Sequence, residues 1–129
     1  TSYKMWLDNK ITGVGLNNYE EVCKNNKKYK FLSKNYGNCS SHPHNFYLQW
    51  LIEAGIIGFL MFIIFIFYIF KSFYKSRHLY SSKIGFISLI IIFWPIMSTG
   101  SLLKNWHGIE TFFIIGISLL LSKKLSKTN

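Results

Sequence analysis

One stretch decides the fold: residues 44–70 read HNFYLQWLIEAGIIGFLMFIIFIFYIF. Its last 17 residues carry no charge. A helix of that length rises by about 1.5 Å per residue and approaches the thickness of a bilayer core, about 30 Å. Pro43 comes directly before the stretch, and proline is favoured in the first turn of a helix. The pattern predicts a membrane helix over residues 46–70, with His44 and Asn45 in its first turn or its cap.

Two further apolar stretches follow, and the charged residues lie between and outside them. The first gives a predicted helix over residues 84–103, which Pro95 should kink. The second is shorter and gives a predicted helix over residues 107–122. We therefore expect an all-α integral membrane protein with about three transmembrane helices. Residues 1–45 would be a loop region outside the membrane, and residues 46–129 the membrane domain.

The composition narrows the class of protein. Half of the 129 residues are hydrophobic, yet the formal net charge is +10. In a soluble protein this charge would suggest nucleic-acid binding. The segregation of basic from apolar residues excludes that interpretation, and the basic connection 71–83 is explained more simply by anionic lipid beside the membrane. Membrane lipids, and no nucleic acid, are the expected partners.

The distribution of positive charge predicts the orientation in the membrane. The charges that count are those within about 15–20 residues of a membrane helix. Seven lie on the side of the 71–83 connection and the C-terminal tail, and three lie on the side of His44. The seven are Lys71, Lys75, Arg77, Lys83, Lys123, Lys124 and Lys127, and the three are Lys30, Lys34 and Lys104. The His44 side is therefore expected to face outward, into periplasm or extracellular space.

Two glycines lie inside the first predicted membrane helix. At about 100° per residue, Gly55 would lie about 20° from the direction of His44, and Gly58 about 40° on the other side. One helix face would then carry an imidazole at the membrane surface and small residues beneath it. Gly55 and Gly58 are predicted to be structural, as positions that let another helix approach closely.

Glu53 is a charged residue inside the same helix. A carboxylate two to three turns inside a membrane helix is costly unless it is paired or faces a cavity. Asn45, Gln49 and Glu53 follow an i, i+4, i+8 spacing and would form a polar stripe beside His44. The stripe predicts either a hydrogen-bond network between helices or part of a substrate site. Asn45 would either cap the helix or contact substrate.

The polar N-terminal stretch carries three further features. Gly13 and Gly15 lie in a predicted turn, where glycine supplies backbone freedom. Residues 27–38 show no clear periodicity and are predicted to be loop. Cys23 and Cys39 either form a disulfide, in an oxidising compartment, or are two free thiols.

His44 has a structural and a chemical interpretation. As an interfacial residue it would only cap the helix, whereas a neutral imidazole at this position can accept a proton from a substrate hydroxyl. His42 is either a loop residue or part of the same site. Two histidines without a third ligand are weak evidence for a metal site, so no metal and no other cofactor is predicted.

Four stretches of the sequence resemble the O-antigen ligase and polymerase superfamily. Residues 44–58 resemble its signature, His-Asn followed by nine residues and Gly-x-x-Gly. Residues 11–19, ITGVGLNNY, resemble the glycine motif that opens the family's large outward loop. Residues 49–55 are similar to the interior of the family's helix, and residues 94–101 to the segment before its last outward turn. The four stretches occur in the family's order.

The resemblance implies a GT-C-like membrane glycosyltransferase of many helices, without nucleotide or metal. Its donor would be a glycan on undecaprenyl diphosphate. Its acceptor would be a sugar of the lipid A core in an O-antigen ligase, or another lipid-linked repeat in a polymerase of O-antigen or other surface polysaccharide. Such an enzyme acts in lipopolysaccharide biosynthesis, in the bacterial inner membrane, with its active-site loop in the periplasm. Since three helices are few for it, the chain is expected to be a C-terminal fragment that is inactive alone.

The resemblance also implies roles for single residues. The family's catalytic histidine corresponds to His44. The family's outward-loop arginines, thought to grip the donor diphosphate, have no clean match, since the single arginine, Arg77, is expected in the cytoplasm. The candidate substrate-binding residues are then Asn45, His42, Lys34, Lys30 and Glu53, although lysine lacks the bidentate fork of arginine. A protein of a different class, a non-catalytic membrane subunit or transporter fragment, would tolerate the loss of His44.

Overall fold

The computed structural model describes residues 1–34, 39–96 and 100–126 of the chain. Within these ranges all regular structure is helical. In chain order the helices are α1 Ser2–Asp8, α2 Tyr19–Asn25, α3 Lys27–Lys34, α4 Phe46–Lys75, α5 Tyr80–Ile92 and α6 Asn105–Ser126. The prediction of an all-α fold is confirmed for the described residues.

By length and composition, α4 is the one helix among the described residues that is able to cross a membrane. Two shorter apolar helical stretches follow, Tyr80–Ile92 and Trp106–Leu120. Only 28% of the most apolar part of α4 is buried within the protein, and Met61, Phe67 and Tyr68 are among its exposed side chains. The core helix of a soluble protein would be buried on most of its apolar surface. The exposed surface of α4 is that expected of a helix facing lipid.

α5 is shorter than the helix predicted over residues 84–103. It begins earlier, at Tyr80, and ends at Ile92, so the predicted C-terminal part of this helix is wrong. Pro95 lacks a backbone N–H and disfavours helical geometry in the residue before it. The proline therefore ends the helix where a kink was expected. α4 and α6 extend a few residues beyond the predicted ranges 46–70 and 107–122.

The short helix α3 lies within residues 27–38, where the sequence predicted a loop. That prediction is wrong for residues 27–34. The helix buries Tyr29 and Ser33, which are four residues apart and so lie on one face. A single buried aromatic and a serine are too weak a pattern to be recognised as periodic in a stretch rich in lysine.

The helices form two layers with separate hydrophobic clusters. α5 packs against α4 and α6, whereas α1 packs against α4, and α2 against α3. The larger cluster lies in α4–α6 with their connections, which we call the apolar layer. Its members are Phe46, Phe62, Ile66, Ile69, Phe73, Leu89, Phe93, Leu102 and Ile115. The smaller cluster belongs mainly to α1–α3 with their connections, which we call the N-terminal layer. Its members are Met5, Tyr19, Cys23, Tyr29 and, from α4, Ile52.

Candidate active site

α4 is broken at Gly55. This residue has a φ of 64° and a ψ of −167°, a backbone region that is essentially restricted to glycine. The two parts of α4, residues 46–54 and 56–75, are therefore not one continuous cylinder. Because 100° per residue does not hold across the break, the predicted single face carrying His44, Gly55 and Gly58 is wrong.

The turn that contains Gly13 fills this break. A helix break leaves backbone N–H and C=O groups without partners in the helix. Here three backbone hydrogen bonds, each 2.9 Å long, join α4 to the turn: Val14 N–H to Ile52 C=O, Gly15 N–H to Glu53 C=O, and Ile56 N–H to Lys10 C=O. We call the contact of residues 10–15 with residues 52–56 the glycine junction. It attaches the N-terminal layer to α4 through main-chain atoms.

The glycines of the junction are required by the closeness of the two backbones. A Cβ on Gly13 would overlap the α4 main chain, and a Cβ on Gly55 would overlap the Ile11 carbonyl. Gly58 faces the Ala54 side chain of its own helix, within the bend. At these positions the close approach is made to a loop and to the helix itself, where the sequence predicted a second helix.

Glu53 lies beside the junction and is only 2% exposed. Its Oε2 accepts hydrogen bonds from the Asn17 backbone N–H at 2.8 Å and from Gln49 Nε2 at 3.4 Å. The same Gln49 nitrogen donates to Ser101 Oγ at 2.7 Å. Gly15 has a φ of 97°, a backbone conformation that favours glycine, and it lets the chain turn between the junction and Asn17. Of the two interpretations left open by the sequence, this enclosure favours the network between segments over contact with substrate.

His44 lies outside α4, two residues before its first helical residue, and its φ is 57°. Its side chain is exposed. Asn45 is the N-cap of α4: its Oδ1 accepts from the Leu48 N–H at 3.0 Å, while its Nδ2 donates to the Pro95 carbonyl at 2.8 Å. Both ends of the Asn45 amide are thus used within the protein. This arrangement fixes the chain directly beside His44.

Two other histidines lie near the start of α4. The ring of His42 is 4.3 Å from that of His44, and its Nδ1 is 2.9 Å from Ser41 Oγ. The ring of His107, in α6, is 5.6 Å from that of Phe46, the first helical residue of α4. Within the described ranges, no three His, Cys, Asp or Glu side chains are grouped so as to hold a metal ion.

Lys30 and Lys34 lie on α3 with exposed side chains. Lys30 lines an open cavity of about 440 Å³ together with Lys24 and Cys39. Among the described contacts, no hydrogen bond or ion pair joins either Lys30 or Lys34 to His44. The structure therefore places these two candidates on the N-terminal layer without linking them to the histidine.

Cys23 and Cys39 are joined by a disulfide, with their Cα atoms 5.8 Å apart. Of the two alternatives that the sequence left open, the bonded pair is the one found. Cys23 is fully buried in α2, and Cys39 begins the described segment that leads to His44. The bond thus connects the core of the N-terminal layer to the approach to the candidate site.

Besides the bonds of Asn45 and Gln49, two further contacts that the sequence analysis missed tie the segment between α5 and α6 to the rest of the protein. The Tyr47 hydroxyl donates to the Phe93 carbonyl at 2.6 Å, and Lys104 Nζ lies 3.5 Å from a Glu20 carboxylate oxygen. The sequence did carry a signal for the Tyr47 contact, because a hydroxyl near the start of an otherwise apolar helix needs a hydrogen-bond partner. Part of the segment, residues 97–99, lies outside the described residues.

Comparison with known proteins gives one family match. The sequence model of the O-antigen ligase family matches residues 1–63. No curated protein and no solved structure matches the chain significantly. The matched range contains His44 and both sides of the glycine junction. The resemblance of residues 11–19 and 44–58 is therefore confirmed, whereas residues 94–101 lie beyond the match.

Proposed function

We propose that the protein transfers a glycan from an undecaprenyl-diphosphate-linked donor to a sugar of a lipid A core, because its residues 1–63 match the sequence model of the O-antigen ligase family. One observation carries the proposal. The family match extends across an exposed histidine, His44, at the start of a helix that is long and apolar enough to cross a membrane. The family and the helix together indicate a membrane protein of a glycosyltransferase-like kind.

In the proposed reaction His44 is the general base. The oxygen of an acceptor hydroxyl bonds to the anomeric carbon of the donor glycan, while the bond from that carbon to the diphosphate oxygen breaks. The hydroxyl proton passes to the His44 imidazole, and undecaprenyl diphosphate leaves with the bonding electrons. General-base assistance is worth about 10²–10⁴-fold. The exposure of His44 beside a capped helix start supports this role, since the ring is accessible and its backbone is held by its neighbour.

Neighbouring groups are proposed to assist in different ways. His42, whose ring contacts that of His44, orients the base or the acceptor. Lys30 and Lys34 attract the donor diphosphate by charge, as exposed cations on the same layer. Asn45 and Glu53 act by holding the helix start and the glycine junction, because their polar atoms are engaged inside the protein.

We further propose a bacterial inner-membrane location, with α4–α6 in the bilayer and residues 1–45 in the periplasm. The seven basic residues on the side of the 71–83 connection, against three on the side of His44, support this orientation. The disulfide of the N-terminal layer suits an oxidising compartment. Residues 56–75 form a helix of about 30 Å, the thickness of a bilayer core.

The test is His44→Ala in the intact protein, expressed in cells that lack their own ligase. Glycan transfer to the lipid A core is followed by the size of the lipopolysaccharide on gels. We expect the transfer rate to fall by about 10²-fold or more, because the proton acceptor is lost. His78→Ala is the matched control, since His78 is also exposed but lies in the connection after α4, and it should keep full transfer.

Two results would overturn the proposal. Unchanged transfer by the His44→Ala protein would remove the general base and favour a non-catalytic membrane subunit. Growth of the lipid-linked glycan, without attachment to the lipid A core, would assign the polymerase reaction in place of ligation. Gels of the lipid-linked fraction and of the lipopolysaccharide fraction from the same cells separate these outcomes.

A further inference from the structure

The segment that carries His44 is fixed at two points. Eleven residues, 35–45, separate α3 from α4, and the described part, residues 39–45, contains no helix. Cys39 begins this part and is bonded to Cys23. Asn45 ends it as the N-cap of α4. Five residues therefore lie between a covalent attachment and a helix cap, and His44 is the last of them.

The Cys23–Cys39 disulfide joins the segment to a well-packed part of the molecule. Cys23 is fully buried in a cluster that includes Met5, Tyr19 and Ile52. Ile52 belongs to the first part of α4, which begins directly after the segment. Ser33 Oγ also lies 3.4 Å from Cys39 Sγ. The disulfide thus fastens one end of the His44 segment to the same packed body that holds the other end.

Contacts inside the segment are mostly local. Ser40 Oγ donates to the His42 carbonyl at 2.8 Å, and Ser41 Oγ lies 2.9 Å from His42 Nδ1. The rings of His42 and His44 are 4.3 Å apart. These contacts shape the segment between its two ends. The ends themselves, a covalent bond and a helix cap, limit where His44 can lie.

We propose that the Cys23–Cys39 disulfide is a positioning element for His44, an inference that rests on the proposed function of His44 as general base. Without the bond, the fixed points would be the end of α3 and Asn45, and ten residues in place of five would connect them. The entropy of closing a flexible loop then lowers the population of the working geometry by about threefold. A misplaced catalytic group costs up to about 10²-fold in rate. The disulfide thus raises the rate of glycan transfer by a factor between about three and about 10².

The experiment compares the oxidised intact protein with the same protein treated with dithiothreitol, which reduces the disulfide to two thiols and is itself oxidised to a cyclic disulfide. A maleimide mass shift reports the thiols. We expect kcat for glycan transfer to fall by about threefold to 10²-fold, with little change in the KM for the donor. Reoxidation should restore kcat. The C23S/C39S protein should be as slow as the reduced protein and insensitive to dithiothreitol.

Hydrogen exchange separates this inference from the proposed function. On reduction, the amides of Ser40, Ser41, His42 and His44 should exchange faster, while those of residues 56–75 remain unchanged. If kcat stays at the oxidised value although both thiols are free, the positioning role is overturned. A loss of kcat that reoxidation does not reverse, with faster exchange throughout α1–α3, would show general unfolding and also overturn it. An oxidised protein without any transfer would instead refute the proposed function.

Discussion

The N-terminal layer and the apolar layer are held together by different kinds of interaction. In the N-terminal layer a disulfide, backbone hydrogen bonds to α4 and a short ionic contact between α1 and α3 supplement a cluster of few residues. In the apolar layer aromatic and aliphatic side chains dominate, as in the stacked pair Trp50–Phe62 with ring centroids 4.9 Å apart. A small polar layer cannot bury enough apolar surface to be stable by packing alone, so it depends on covalent and polar links.

Because of this difference, we expect a substitution to affect the two layers separately. Helices in lipid associate through van der Waals packing and small residues, without a strong hydrophobic driving force. The N-terminal layer instead depends on directional bonds, and four hydrogen bonds join it to α4 near Gly55. A substitution near the break should therefore release the N-terminal layer and leave α5 and α6 in place.

Gly55→Ala has the largest expected effect, because it breaks the contact between the layers. The new Cβ would overlap the Ile11 carbonyl, and alanine would be strained at this φ and ψ by about 1–3 kcal/mol. Amides of residues 10–17 should lose most of their protection from hydrogen exchange, while those of α5 and α6 keep theirs. Gly116→Ala is the control, since nothing lies within 4 Å of a Cβ at that position. Equal protection of residues 10–17 in the two variants would contradict the junction.

Glu53→Ala has an intermediate expected effect. It leaves the Asn17 N–H without its buried acceptor, which costs about 1–3 kcal/mol, and it removes one partner of Gln49. Glu53→Gln keeps an acceptor oxygen and should cost less. Thermal unfolding in detergent, with hydrogen exchange at residues 17–19, measures both variants. Glu110→Ala is the exposed control in α6. Equal destabilisation by the Gln and Ala variants would show that hydrogen bonding by the side chain is not the cause.

Asp8→Asn has the smallest expected effect, since this contact is exposed. Hydrogen bonds from Lys28 at 2.6 Å and Tyr29 at 2.8 Å hold the pKa of Asp8 below its usual value. A lowered folded-state pKa stabilises the protein above the unfolded-state pKa of about 3.9, and this stabilisation is lost as the pH falls through the folded-state value.

The Asp8→Asn protein should therefore unfold slightly more readily than the wild type at pH 7. The difference in unfolding temperature between the wild type and the Asp8→Asn protein should shrink as the pH falls below about 4. Glu21→Gln, an exposed change in α2, is the control. A gap of constant size from pH 7 to pH 3 would contradict the ionic origin of the effect and would separate this contact from the forces that hold the N-terminal layer.

Much of the helical framework was accessible from the sequence. The uncharged stretch predicted α4, and Pro43 placed its start near Asn45, where the structure has the cap. The break at Gly55 was not accessible, because the apolar pattern continues on both sides and the backbone angles of a glycine leave no trace in hydropathy. The end of α5 was misjudged because Pro95 kinks some helices and ends others.

The candidate site was predictable in its chemistry but not in its connections. His44, Asn45 and Glu53 were identified by residue type and spacing, yet their partners lie far away in the sequence. The hydrogen bonds from residues 10–15 to α4 join main-chain atoms, so the sequence shows no sign of them other than the glycines that allow the close approach. The partnership of Gln49 with Ser101 depends on where the connection between α5 and α6 lies relative to α4, which helical periodicity does not specify.

The glycine junction has a consequence for how such a protein can change over evolutionary time. It holds the path of the main chain, and the side chains of Lys10, Ile11 and Thr12 point away from it into exposed positions. Since the junction uses main-chain atoms here, such as the Lys10 carbonyl, these three positions are free to diverge as long as the glycines remain. The surface formed by these side chains can therefore change in charge and shape without altering the main-chain contact that attaches the N-terminal layer to α4.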